Sequence, residues 1–224
     1  ATGNKIPWVK QAHDPWMILP QKYAITPDIE LPIGEGVPIG MVEGRLPWQP
    51  DLWLQIHAGY WLIGKPIHGI NVIVGTDPHV LQGSYSRPRQ MADIFYSMQL
   101  TYALAGDRYL PYAYDPLWHQ PQQVERTHDV TLLGLHYENR NKLVAELKRL
   151  GVNVVYDLGP VYDEARALYS AAPIGLNWSS LQDLTARVFE LLGMRRLAVV
   201  NEVPDLRRFF ADGVDLVVFK TLPE

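Results

Sequence analysis

The second half of the chain alternates between short apolar runs and amphipathic stretches, which predicts strands alternating with helices. Ile174 to Trp178 and Leu197 to Val200 are apolar runs of strand length. Between them, apolar residues recur at helical spacing at Leu184, Val188, Leu191 and Leu192. Ser180 is a good helix N-cap and Asp183 places negative charge in a first turn, so this helix is expected to begin near Ser180.

The same alternation extends over residues 123–224. Further strands are predicted at Val130 to Leu135, Val152 to Tyr156 and Val214 to Phe219. Helices are predicted at Arg140 to Leu150, with Gly151 ending that helix, at Asp163 to Ala171 and, as a short one, at Asp205 to Ala211. Strands and helices in this order are typical of a parallel, doubly wound sheet with right-handed crossovers.

The first half of the chain is richer in proline and less regular in its pattern of apolar residues. Most of the 18 prolines lie before residue 125, and the clearest strands there are Leu52 to Ile56, Ile70 to Val74 and Ala92 to Ser97, with a helix over Leu100 to Ala105. Arg108 to Gln122 is rich in proline and aromatic residues and is interpreted as a rigid linker. This change in proline content and regularity along the chain predicts two α/β domains, residues 1–122 and residues 123–224.

Composition narrows the class of protein. The chain has 224 residues, 47% of them hydrophobic, which is enough for a substantial core. It has no cysteine, so disulfides and thiolate metal sites are excluded, and its net charge of -4 argues against unspecific binding to nucleic acid. No apolar run reaches the roughly 18 residues of a membrane span, and no signal peptide is evident. These features predict a cytoplasmic protein without a membrane span.

Candidate chemistry concentrates around the helix after Ile174 to Trp178. The helix start is a potential phosphate site, because its free N–H groups and dipole favour negative charge. Glu190 on this helix could accept hydrogen bonds from a ribose diol, and Arg187 could neutralise phosphate. A solvated carboxylate and a pairing of Arg187 with Glu190 or Asp183 are the plainer alternatives.

Other polar residues follow predicted strands, where open α/β sheets bind ligands. They are Asn177, Trp178, Ser179, Ser180 and Asn201 in the second domain, and Asp77 and His79 in the first. Each is also an ordinary turn or cap residue. Arg140 could meet a diphosphate, and Asp77 or His79 could act as a general base. The remaining histidines, His57, His68, His119, His128 and His136, show no metal-ligand spacing and are interpreted as structural or surface residues.

Two segments carry a family resemblance. The residues GLHYENRNKLVAELKRLGVNVVYDLGP and YSAAPIGLNWSSLQDLTARVFELLGMRRLAVVNEVPDLRRFF resemble the nucleotide-binding half of GT-B glycosyltransferases of the group 1 kind, most closely the spore-maturation (CgeB-like) subgroup. The likeness covers residues 130–220. In the first half, PDLWLQIHAGYW, GTDPH and LPYAYDP resemble that subgroup's acceptor-side domain and hinge.

The resemblance implies a GT-B-like fold, in which two Rossmann-like domains with parallel sheets face a cleft. It implies transfer of a sugar, in the hexosyltransferase class, from a nucleotide diphosphate donor to an acceptor hydroxyl, with no metal and no separate cofactor. UDP is favoured over GDP as the carrier, and the acceptor is a glycan, a protein or a small molecule. Glu190 then matches the glutamate that binds the donor ribose, and Arg187 matches the arginine of the same helix. Asn177 to Ser180 match the segment beside the diphosphate and sugar, and Arg140 matches the basic position after the first strand.

Two departures keep other functions open. Gln182 stands where the family commonly has a second glutamate, and GMRRLAVV replaces its small-residue turn after the helix. A non-catalytic module that binds nucleotide sugars or glycans, as a degenerate or minimal GT-B relative, is therefore an alternative. A structural partner subunit is another, suggested by the aromatic residues within residues 1–65. Fold alone does not decide among them.

Overall fold

The computed structural model describes residues 22–26, 29–32, 37–57 and 62–220. Trp8 and Trp16, two of the aromatic residues that suggested a partner subunit, lie outside these ranges. The chain divides into two compact units, Ala1–Leu110 and Pro111–Glu224. The division falls within the Pro-rich segment that the sequence indicates as a linker.

Within its described residues, the first unit contains a four-stranded parallel sheet and a separate two-stranded ribbon. The sheet order is β3-β4-β5-β6, formed by Leu52–His57, Ile70–Gly75, Ile94–Ser97 and Arg108–Tyr109. The ribbon pairs β1 (Lys22–Thr26) antiparallel to β2 (Ile29–Pro32). The helices are α1 (Ile39–Glu43), α2 (Pro78–Leu81) and α3 (Ser86–Met91), and a 3-10 turn spans Leu100–Tyr102.

The described part of the second unit is built on a five-stranded parallel sheet. Its order is β11-β10-β9-β7-β8, in which β7 is Val130–Leu133, β8 Val154–Asp157, β9 Ile174–Asn177, β10 Leu197–Asn201 and β11 Val217–Phe219. The helices are α4 (Glu138–Arg149), α5 (Tyr162–Ser170) and α6 (Ala186–Gly193), with a 3-10 turn at Leu206–Arg208. Two parallel sheets flanked by helices confirm the predicted α/β class with two Rossmann-like units.

Helix α6 packs on this sheet through a contact that only glycine permits. Val188 and Leu191 point into the core, where both are almost fully buried. Gly175 in β9 lies directly beneath Leu191, and a β-carbon at Gly175 would collide with the Leu191 side chain. The absence of that carbon therefore sets how closely α6 approaches β9.

The predicted start of α6 is wrong. The helix begins at Ala186 rather than near Ser180, and residues 178–185 form a loop. Gln182 has a φ of 61°, in the left-handed region that a right-handed helix excludes. Ser179 and Asp183 also bond to each other within the loop, which gives the backbone an alternative to helical hydrogen bonds.

Two other predicted helices are single 3-10 turns. The helix expected over Leu100 to Ala105 ends at Tyr102, because Ala103 is extended and the Asp107 carboxylate accepts the Leu104 N–H. The helix expected over Asp205 to Ala211 is reduced to Leu206–Arg208, since Asp205 has a φ of 65°. Helices α2 and α3 carry no clear periodic signal in the sequence and were not predicted.

None of the helices in the described ranges is both long and apolar enough to cross a membrane.

Candidate functional site

The carboxyl ends of three neighbouring strands bring most of the predicted second-unit residues to one edge of the sheet. β7, β9 and β10 are adjacent and parallel, and they end at Leu133, Asn177 and Asn201. The loops that follow these strands carry Arg140 on α4 and the residues that lead into α6. This edge is the usual ligand-binding edge of an open parallel sheet.

The loop after β9 is held by its own side chains and by Asn201. The Asn201 amide accepts the Ser179 N–H at 2.7 Å and donates to the Ser179 carbonyl at 3.0 Å. The Ser179 hydroxyl donates to Asp183 Oδ1 at 2.5 Å and accepts the Asp183 N–H at 2.9 Å. Ser179 is 1% exposed, so its amide and hydroxyl shape the loop, and a diphosphate contact to them would replace bonds within the protein.

Trp178 and Arg140 connect this loop to the rest of the unit. The Trp178 ring packs edge-on against Phe219, with ring centroids 5.4 Å apart. Its carbonyl accepts a hydrogen bond from Arg140 Nε at 2.8 Å, and Arg140 Nη1 donates to the Leu135 carbonyl at 3.0 Å. Arg140 is 9% exposed, and burial lowers the pKa of its guanidinium. Arg140 therefore ties the loop after β7 to the loop after β9.

Gly134 makes room for that guanidinium. It directly follows β7 with a φ of 143°, and a β-carbon there would lie 2.8 Å from Arg140 Nη1. A larger residue would both strain the backbone and displace Arg140. The glycine is thus part of the strand-end arrangement, although sequence reasoning did not single it out.

Glu190 and Arg187 form an ion pair on α6. Arg187 Nη1 lies 3.3 Å from Glu190 Oε2, and the Glu190 side chain keeps 22% of its surface exposed. The Arg187 guanidinium also lies over the Tyr169 ring, 5.3 Å from its centroid. Burial opposes the charged form of Arg187, but Tyr169 and Glu190 outweigh it and raise its pKa. Arg187 is therefore a stable cation beside the partly exposed Glu190 carboxylate.

Tyr169 packs against the Arg187 side of the Arg187–Glu190 pair. Its side chain is fully buried, its hydroxyl accepts the Leu133 N–H at 3.2 Å, and burial raises its pKa. Tyr169 thereby joins the end of β7 to the first turn of α6.

The loop that leads into α6 contains two side-chain hydroxyls that make no hydrogen bond to the described part of the chain. Thr185 is the N-cap residue, and within the described residues its Oγ1 and the Ser180 Oγ are buried with no hydrogen-bond partner. Among those residues no side chain caps the helix through a hydrogen bond. The two buried hydroxyls thus lie at the N-terminal end of α6, where the helix dipole favours negative charge.

A comparison with known families finds a similarity in this half of the chain. Residues 117–224 match the glycosyl transferase-like family model. No curated protein matches the chain. The match covers nearly all of the second unit, so that unit is similar to glycosyltransferase domains, and the two parallel-sheet units are consistent with a GT-B fold.

The second unit also contains a cavity of about 710 Å³ beside α6. Phe189, Leu192 and Phe210 line one part of it, and residues of the 114–121 segment line another. The residues predicted for donor binding do not line this cavity. His119, which does line it, lies 3.8 Å from Glu190 Oε1 through its Nε2 atom.

The predicted catalytic residues lie in the first unit. Asp77 follows the carboxyl end of β4, where its carboxylate accepts the Thr76 hydroxyl at 2.7 Å and its N–H donates to the Tyr85 hydroxyl at 3.2 Å. His79 lies on α2, with its ring 6.0 Å from the Tyr102 ring. Both residues are partly exposed at a strand end, as the sequence indicates.

Two residues close to the Glu190 and Arg187 pair, Tyr169 and His119, were not predicted for the site. Tyr169 belongs to a predicted helix, but its contact with Arg187 depends on tertiary packing. His119 was interpreted as a structural or surface histidine. The turn signal around Asp115 and Pro116 was visible in the sequence, but nothing there relates it to α6.

Proposed function

We propose that the protein transfers a sugar from a nucleotide diphosphate donor to an acceptor hydroxyl. The observation that carries the proposal is the partly exposed Glu190 carboxylate, which pairs with Arg187 on a helix of the unit that is similar to glycosyltransferase domains. In the reaction, the bond between the sugar's anomeric carbon and the diphosphate breaks, and a bond to the acceptor oxygen forms. The acceptor proton leaves to a base, and the nucleoside diphosphate departs.

Glu190 is assigned to the donor ribose. A carboxylate accepts hydrogen bonds from both hydroxyls of a diol, and the ion pair with Arg187 orients this one. The partial exposure of Glu190 leaves it accessible to a ligand that lies along α6.

The diphosphate is assigned to the start of α6. Arg187, the N-terminal end of the helix and the hydroxyls of Ser180 and Thr185 are the groups that we assign to the phosphate oxygens. The leaving diphosphate gains negative charge in the transition state, and such preorganised groups stabilise that charge more than the ground state. Arg140 adds positive charge at the same sheet edge while it holds the loop through Leu135 and Trp178. Asn177 and Trp178 flank the loop that would lie beside the sugar.

Asp77 or His79 is assigned to the acceptor side. Either could take the acceptor proton if the two units enclose the donor in a cleft, as the GT-B resemblance implies. An inverting reaction requires such a base, whereas a retaining reaction does not. The CgeB-like subgroup, the hexosyl class, UDP as the preferred carrier, independence from metal and a cytoplasmic location belong to this proposal as well.

Product analysis tests the proposed function. The protein is incubated with UDP- and GDP-sugars, with and without EDTA, and release of nucleoside diphosphate is followed together with transfer to candidate acceptors. We expect slow donor hydrolysis even without an acceptor, UDP-sugars to be used faster than GDP-sugars, and EDTA to leave the rate unchanged. Neither transfer nor hydrolysis with any donor would contradict the proposal.

A non-catalytic nucleotide-sugar binding module is the second candidate, and Gln182 is the residue that favours it. It occupies the position of the family's second glutamate, and its backbone is in the left-handed region. Binding of UDP without turnover, unaffected by Asp77→Ala and His79→Ala, would support this alternative.

A further inference from the structure

His119 lies in a compact turn that is firmly attached to the second unit. Asp115 organises the turn, because its carbonyl accepts the His119 N–H at 2.7 Å and its carboxylate accepts the Leu117 N–H at 2.8 Å. The Trp118 ring packs on Tyr162 of α5, with centroids 5.6 Å apart. Just before the turn, Tyr114 packs so closely on α6 that a β-carbon at Gly193 would lie 2.6 Å from its ring. The position of His119 relative to α6 is therefore fixed by packing on both α5 and α6.

The hydrogen bonds of the turn decide which ring nitrogen of His119 carries a proton. The Asp115 N–H donates to His119 Nδ1 at 2.8 Å. A nitrogen that accepts a hydrogen bond carries no proton of its own, so the proton of the neutral ring is on Nε2. That N–H is on the nitrogen that lies 3.8 Å from Glu190 Oε1.

Glu190 consequently has a polar neighbour on each side. Arg187 Nη1 lies 3.3 Å from Oε2, and His119 Nε2 lies 3.8 Å from Oε1, which is near but longer than a hydrogen bond. The side chains of His119 and Glu190 are 26% and 22% exposed, so the pair lies at an accessible surface and is shielded only in part from solvent.

We propose that His119 is a positioning residue that orients the Glu190 carboxylate for the donor ribose. This inference rests on the proposed role of Glu190 in binding that ribose. His119 acts through Glu190 rather than on the donor itself, and it is supplied by the segment that precedes the Rossmann-like core of the second unit. The turn around Asp115 thereby becomes part of the donor site.

Two substitutions of His119 separate positioning from packing. His119→Gln places an amide N–H at about the reach of Nε2 and keeps a donor for Glu190. His119→Asn is shorter, so its side-chain oxygen can still accept the Asp115 N–H, but it does not reach Glu190. Calorimetric titration with UDP and with 2′,3′-dideoxy-UDP then measures how strongly each variant senses the ribose diol, because the two ligands share their base and diphosphate.

We expect wild-type protein and His119→Gln to prefer UDP over the dideoxy ligand to a similar degree. In His119→Asn this preference should fall by about threefold to tenfold, the range for loss of one polar contact, while affinity for the dideoxy ligand stays unchanged. Urea unfolding of His119→Asn, Glu190→Gln and the double variant supplies a readout without ligand, and the effects of the two substitutions on stability should not be additive.

An unchanged preference for UDP in His119→Asn, alongside a clear preference in the wild type, would overturn the positioning role and leave the donor site intact. Additive effects in the unfolding experiment would overturn it as well. Equal binding of both ligands by the wild type would instead contradict the proposed role of Glu190, and the role of His119 with it.

Discussion

The side-chain amide of Asn201 forms two hydrogen bonds with the backbone of Ser179: its Oδ1 accepts the Ser179 N–H at 2.7 Å, and its Nδ2 donates to the Ser179 carbonyl at 3.0 Å. One residue at the end of β10 thereby fixes the loop after β9. The amide is 7% exposed, so both bonds form away from bulk water, where polar groups left without a partner are costly.

Replacing that amide should loosen the loop. Asn201→Asp removes the N–H that the Ser179 carbonyl accepts, and we expect the free energy of unfolding to fall by about 1–3 kcal/mol. Urea denaturation measures the change. Asn139→Ala, at an exposed position on α4, is the control and should have little effect. Equal stability of Asn201→Asp and wild type would show that the two bonds do not hold the loop.

Gly175→Ala tests the close approach of α6 to β9. The added β-carbon meets the side chain of Leu191, which is completely buried. We expect a loss of about 1–3 kcal/mol in unfolding free energy, as for other overpacked cores. Gly159→Ala is the matched control, because nothing lies within 4 Å of the new carbon. If both variants unfold at the same urea concentration, the glycine does not set the distance between helix and strand.

His128 should make stability depend on pH. It is 7% exposed, its Nε2 lies 2.6 Å from Thr131 Oγ1, and its Nδ1 lies 2.8 Å from Thr127 Oγ1. Burial lowers the pKa of this ring below its unfolded value of about 6.5. The unfolded chain then binds a proton that the folded protein does not. The contribution of His128 is therefore complete above about pH 6.5 and is lost as the pH falls below that value.

Urea unfolding at about pH 7.5 and pH 5.5 measures this effect. The wild type should lose more stability between the two values than His128→Gln, in which the titrating group is absent. His136→Gln, at an exposed position, should retain the wild-type pH dependence. The same pH dependence in His128→Gln and wild type would contradict the prediction.

The regular part of the second unit could be predicted because its periodic apolar residues and its terminators agree. Helix α4 has buried Leu143 and Val144 on one face, and Gly151 follows its end with a φ of 85°. The start of α6 could not, because Ser179 and Asp183 are good helix-entry residues that instead bond to each other. Sequence rules do not distinguish these two uses of the same side chains.

The candidate site shows the same limit. Placing Asn177, Asn201, Arg187 and Glu190 near one sheet edge required only the order of strands and helices. Arg140 was expected near a diphosphate, yet Gly134 lets it turn inward to two backbone carbonyls. His119 comes close to Glu190 only because residues 114–120 pack on α5 and α6. Contacts of this kind arise from tertiary packing and leave no local pattern.

Glu190 is proposed to bind the ribose of a nucleotide diphosphate. Calorimetric titration of UDP into wild-type and Glu190→Ala protein tests this role most directly. Loss of the carboxylate should weaken binding by about 1.5–3 kcal/mol, the range for hydrogen bonds to a charged group. Glu146→Ala, a glutamate on α4 that pairs with Arg149, should bind UDP as the wild type does. Unchanged affinity in Glu190→Ala would contradict the account.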